Sequence, residues 1–92
     1  MEIKWLEDLV VLKEHASFSK AAKARYVTQP AFSRRIRALE NWLGVNLIDR
    51  TTYPTSFTRA GEEFLEFAKS TITGVYSAVS YTHLTLPTTS RV

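Results

Sequence analysis

The run "VTQPAFSRRIRALENWLG", Val27 to Gly44, leaves the chain little choice of local structure. Thr28 carries a hydroxyl that can cap a helix, and Pro30 falls in the first turn, where amides have no partner within a helix and a residue lacking one loses nothing. Gly44 supplies a left-handed stop. Between these marks Phe32, Ile36, Leu39 and Leu43 recur at helical spacing, and at 100° per residue they share a sector about 60° wide. The spacing predicts a helix over Gln29–Leu43 that buries this stripe. Gln29, Pro30, Ser33, Arg34 and Arg37 occupy a separate sector, displaced by roughly a right angle or more from centre to centre.

The neighbouring segments read as companions to that helix. Trp5, Leu6, Leu9, Val10 and Leu12 alternate with Glu7, Asp8, Lys13 and Glu14 at a period near 3.6, which predicts an amphipathic first helix ended by "HASFS". Ser19 is placed to cap a second, short helix through Lys20 and Lys23 to Arg25, with alanines for close packing. After Gly44, "VNLIDR" and "TSF" flank "TTYP", whose proline does not suit a central strand, so a two-stranded hairpin is expected. Thr58 then caps a final helix with Glu62 and Glu63 near its positive end. Its Leu65, Ala68, Ile72 and Val75 step by three, four and three, as a coiled-coil seam between two copies does. The competing reading is that these four cover the domain's own core.

The expected organisation is mainly α with a small β-hairpin: a winged helix-turn-helix over residues 1–58, a linker and dimerisation helix over 59–78, and a non-native or disordered tail over 79–92. Val79 to Thr89 resembles the translated read-through of a transposon-based sequencing adaptor, so the natural protein is expected to continue past Ala78 with other residues.

Charge says what such a fold is for. The net charge is only +3, but Ser19–Glu40 holds Lys20, Lys23, Arg25, Arg34, Arg35 and Arg37 and no acid before Glu40. That is the footprint of a face for a polyanion. The major groove of DNA admits a helix and shows each base pair as a distinct pattern of donors and acceptors. Gln29 can pair two-pronged with adenine, Arg34 or Arg37 with guanine, and Ser33 with either base edges or phosphate. Ser19, Lys20, Lys23, Thr28 and Pro30 are expected along the DNA backbone, and Arg50 on a phosphate across the minor groove. Arg35, about 100° around from Arg34, is assigned to a phosphate or an intramolecular acid.

Other chemistry finds little support. The chain has no cysteine, hence no thiolate nucleophile or thiolate metal site, which fits a reducing compartment such as the cytoplasm. Charges at Glu2, Lys4, Glu7 and Asp8 exclude an N-terminal membrane span or signal peptide. His15 is expected to complement the C-terminus of the first helix rather than bind metal or act as a base. Glu62, Glu63 and Glu66 read as solvated charges, and Trp5 and Trp42 as packing residues. An alternative to DNA binding is a protein-interaction module whose basic face is incidental; salt dependence separates the two.

The segment "FSKAAKARYVTQPAFSRRIRALENWLGVNLIDR", followed by "FTRAGEEFL", resembles the N-terminal DNA-binding domain of LysR-type transcriptional regulators over about Trp5 to Ala78. The resemblance implies double-stranded DNA as partner, with Gln29, Pro30, Ser33 and Arg34 at its surface. It also implies a homodimer through the helix after Thr58, possibly a higher oligomer at full length, and a small-molecule effector on a C-terminal domain outside this chain. Three residues depart from the family pattern. Arg25 stands where leucine is usual, Ile48 where phenylalanine is common, and Phe57 where leucine is common. The last two are expected to compensate in volume across the hairpin.

Overall fold

A computed structural model describes the backbone of residues 2–88 and the side chains of residues 2–74. The element order is α1 (Ile3–His15), α2 (Phe18–Ala24), α3 (Gln29–Leu43), β1 (Ile48–Asp49), β2 (Ser56–Phe57) and α4 (Arg59–Thr88). This is a winged helix-turn-helix with a long helix appended. α1 lies at its centre, packed against α2, α3 and α4.

Capping explains most boundaries. α3 begins where the Thr28 hydroxyl accepts from the Ala31 amide at 3.3 Å, and it ends at Gly44, φ 77°, whose amide returns to the Glu40 carbonyl. α1 closes on Ala16, also left-handed, with the basic residues Lys13 and His15 in its last turn. α2 departs from expectation: its cap is Ser17, not Ser19, with the Ser17 hydroxyl accepting from Lys20. The reason is Phe18. Its ring packs edge-on against Phe32 with centroids 6.0 Å apart, which draws residue 18 into the first helical position and carries Ser19 onto the exposed face.

The core gathers Leu6, Leu9 and Leu12 of α1, Ala21 and Ala22 of α2, Phe32, Ile36 and Leu39 of α3, Leu47, Ile48, Leu65 and Ala68. Each large member contributes about 1.5 to 3 kcal/mol by leaving water. Trp5 packs at the margin of this core. Trp42 does not: it is 59% exposed, since Leu43 takes the inward position and its neighbour stands 100° around the helix.

In the wing, β1 and β2 pair antiparallel with Ile48 opposite Phe57 and Asp49 opposite Ser56. The Thr52 and Ser56 hydroxyls bond at 2.7 Å beneath the turn, which contains a cis Tyr53–Pro54 bond. The wing root is tied to α4 by Thr58. Its hydroxyl donates to the Asn46 carbonyl at 2.7 Å and accepts from the Gly61 amide at 3.0 Å, while its amide donates to Leu47. Only glycine fits at 61: a Cβ there would overlap the Leu47 carbonyl oxygen and lie 2.9 Å from its carbon.

The helical course of α4 continues through Thr88, where a disordered tail was expected after Ala78. No glycine or proline stands between Gly74 and Pro87 to stop it. Residues 89–92 of that expected tail lie outside the described residues, as does the side chain of Val75 in the expected seam.

Candidate nucleic-acid interface

Two buried acids sort the arginines. Asp8, on α1, has no exposed surface and accepts from Arg25 Nε, Arg35 Nε and Arg35 Nη2, each at 2.8 Å. Arg25 also reaches Glu7 at 3.5 Å. A buried carboxylate is tolerable only when its oxygens are met this fully. Arg25 and Arg35 therefore tie both helices of the helix-turn-helix to α1, and the extra positive charge at position 25 is answered from within the chain. Of the two roles open to Arg35, the structure shows the intramolecular acid.

Glu40, on α3, is the second buried acid. It accepts from the amides of Leu47 and Ile48 at 2.8 and 3.1 Å and pairs with Arg50 at 2.9 Å. Burial acts to raise its pKa, but the Arg50 hydrogen bond, those two amides and the Arg50 charge outweigh it and hold the carboxyl below its ordinary 4.5. Arg50, expected on a phosphate across the minor groove, is engaged with Glu40, its guanidinium 5.9 Å from the Phe18 ring centre. The neighbouring Asp49 is also held low, by the hydroxyl and amide of Thr51.

The remaining cations define a face. Lys4, Lys13 and Arg59 pair with Glu2, Glu62 and Glu63. Among the described residues that leaves Lys20, Lys23, Arg34, Arg37 and Lys69 without an acid partner, and four of these five lie on α2 and α3. All four are exposed. Gln29, Ser33 and Arg37 line an open groove of about 300 Å³ between α3 and the wing, with Arg50, Thr52 and Thr55 on its far wall. Pro30 and Arg34 are exposed outside this groove, Ser19 and Lys20 stand on the outer side of α2, and Thr28 is exposed at the α3 cap.

Sequence reasoning missed the two acids that hold this face in place, although a signal existed. Asp8 falls three residues after Trp5 and four before Leu12, and Glu40 four after Ile36, so each sits on an apolar stripe where an isolated acid demands a partner. Thr52 and Thr55 gave no comparable signal, since their position depends on how the turn folds back.

The expected dimer seam is corrected at two of its four positions. Leu65 and Ala68 are fully buried against this chain's own core and cannot meet a second copy, and Ile72 is half-buried. A stripe that steps by three and four marks a buried face without saying whose surface buries it. The side of α4 that remains open carries Phe67, 52% exposed, against Phe64 at 5.3 Å between ring centres. Leu43, Val45 and Leu47 border them. Among the described residues there is no helix long and apolar enough to cross a membrane and no cluster of His, Cys, Asp and Glu able to hold a metal.

Residues 3–62 match the model of a family described as "Bacterial regulatory helix-turn-helix protein, lysR family". The chain is 48% identical over 64 residues to the HTH-type transcriptional regulator YjiE of Escherichia coli, covering 70% of this chain and 21% of that one. It is 44% identical over 72 residues to the hydrogen peroxide-inducible genes activator of Pectobacterium carotovorum subsp. carotovorum, covering 78% and 24%. It thus spans about a fifth to a quarter of these relatives. Among solved structures it resembles Vibrio fischeri DarR in complex with DNA, with a TM-score of 0.87 and 43% identity over 90% of this chain and 28% of that one. It also resembles the BenM DBD bound to catB site 1 DNA, with a TM-score of 0.88 and 36% identity over 90% and 89%.

Proposed function

The chain belongs to the lysR family of bacterial regulatory helix-turn-helix proteins, and on that footing we propose that it binds double-stranded DNA sequence-specifically as a homodimer and thereby regulates transcription in the cytoplasm. α3 enters the major groove of one half-site with Gln29, Ser33, Arg34 and Arg37 toward base edges. Ser19, Lys20, Lys23, Thr28 and Pro30 lie along the backbone. The chain catalyses nothing in this role.

One observation carries the reading. The folded chain neutralises Arg25, Arg35 and Arg50 internally and leaves Lys20, Lys23, Arg34 and Arg37 unopposed on the two helices of the helix-turn-helix. A surface that was basic by accident would have no reason to leave its unpaired cations together on the exposed sides of two adjacent helices while their neighbours Arg25 and Arg35 are neutralised. The likeness to two DNA-bound structures supports the same orientation.

Selection of binding sites from a randomised duplex pool, followed by titration at rising salt, tests it. The two cations placed on the backbone, Lys20 and Lys23, give a log–log slope of roughly −2 for each bound head. Arg34→Ala is expected to cost about 1 to 3 kcal/mol and relax preference at one base pair. A loss that is equal for every sequence removes Arg34 from base reading, and absence of binding at low salt removes the function.

A further inference from the structure

The turn between α2 and α3 leaves one large side chain over. Tyr26 is 94% exposed, and its backbone lies at φ 60°, a region that residues with a side chain rarely adopt. Its neighbours hold it there: its own amide donates to the Lys23 carbonyl at 3.1 Å, and the Val27 amide donates to Ala22 at 3.0 Å while Val27 packs against the core. The phenol hydroxyl has no partner among the described residues. The turn's hydrogen bonds account for the left-handed backbone, but among the described residues nothing covers the ring.

We propose that Tyr26 is a DNA-backbone contact, its hydroxyl donating to a phosphate oxygen at the rim of the groove that α3 enters. The inference rests on the DNA-binding reading above and adds a residue to it. The turn sits three residues before Gln29 at the start of α3, so a side chain projecting from it meets the strand bordering the groove rather than the base edges in front of α3. Lys23, exposed and unpaired three residues earlier, addresses the same border. A phenol is a neutral donor of the kind that fixes register on phosphates without reading sequence.

The neutrality gives the test its discrimination. The 92-residue chain and its variants are titrated onto a mixed-sequence duplex across a range of salt. Tyr26→Phe keeps ring and backbone and removes only the hydroxyl. It is expected to bind every duplex about five- to tenfold more weakly with an unchanged salt slope, because a neutral donor displaces no counterion. Lys23→Ala is expected to lower that slope by about one. Tyr26→Gly suits the left-handed backbone, so its Tm is expected not to fall while its binding weakens at least as much as that of Tyr26→Phe. Equal binding by wild type and Tyr26→Phe overturns the proposal while leaving the DNA reading intact. So does a Tyr26→Gly variant whose Tm falls in step with its affinity, which marks a structural role. A wild-type chain that binds no duplex at any salt defeats the DNA reading and this contact together.

Discussion

Asp8 shows how much of this surface is decided by a residue that never touches it. With its two oxygens shared between Arg25 and Arg35, the carboxylate holds in place the helices that carry the exposed cations. Asp8→Ala leaves the partly buried Arg35 guanidinium unmatched and Arg25 with only its 3.5 Å contact to Glu7, and urea denaturation is expected to show a loss of about 3 to 5 kcal/mol. Gly61 is decided by contact of a different kind, backbone on backbone. Gly61→Ala drives a methyl group into the Leu47 carbonyl and is expected to cost about 1 to 3 kcal/mol, whereas Gly74→Ala meets open space and is expected to stabilise by about 0.5 to 1 kcal/mol. Thermal melts of the two variants side by side check both signs. Neither feature was visible as such in the sequence. Asp8 could have been found from its place on the apolar stripe, but no pattern in "TRAG" says that a carbonyl from another segment will lie against its glycine.

Among the elements, α3 was the most legible because its cap, proline, stripe and stop all agree, and its bounds are those the sequence predicts. α2 was less so. Two serines compete to cap it, and the choice falls to Phe18, whose tertiary contact with Phe32 no local rule contains. The wing was legible as a hairpin, and the pairing of Ile48 directly with Phe57 gives physical ground to the expectation that their sizes compensate. Exchanging their volumes with Ile48→Phe and Phe57→Leu together is expected to cost less than the sum of the single changes, by about 0.5 kcal/mol or more; strict additivity in a double-mutant cycle removes the coupling. The wing root also carries a pH signature. Glu40 has its pKa lowered on folding, so its contribution is present above its ordinary 4.5 and is lost as pH falls through the lower folded value. Acid titration of stability is expected to fall more steeply below pH 4.5 in the wild type than in Glu40→Gln. Curves that run parallel there take Glu40 out of the acid transition.

For the molecule as a whole, the sequence located α4, and of the two readings it left open for Leu65 and Ala68 the structure shows the monomer's own core. Leu65 and Ala68 complete the monomer's core, so a homodimer through this helix has to use its open side, where Phe67 stands beside Phe64. Phe67→Glu is expected to shift the chain toward monomer in sedimentation while its circular dichroism melt stays close to that of the wild type, and unchanged association removes this side of α4 from the interface. The same helix has a geometric consequence that comes from its root. Thr58 bonds to Asn46, Leu47 and Gly61 at once, and the glycine brings the helix into direct contact with the Leu47 backbone just before β1. Such a joint has no slack, so α4 and the head behave like one arm of a pair of calipers. In a pair of chains, the gap between the two recognition helices is then fixed by the angle at which the arms cross, and a few degrees of change at that crossing becomes a change in the length of DNA the pair can span.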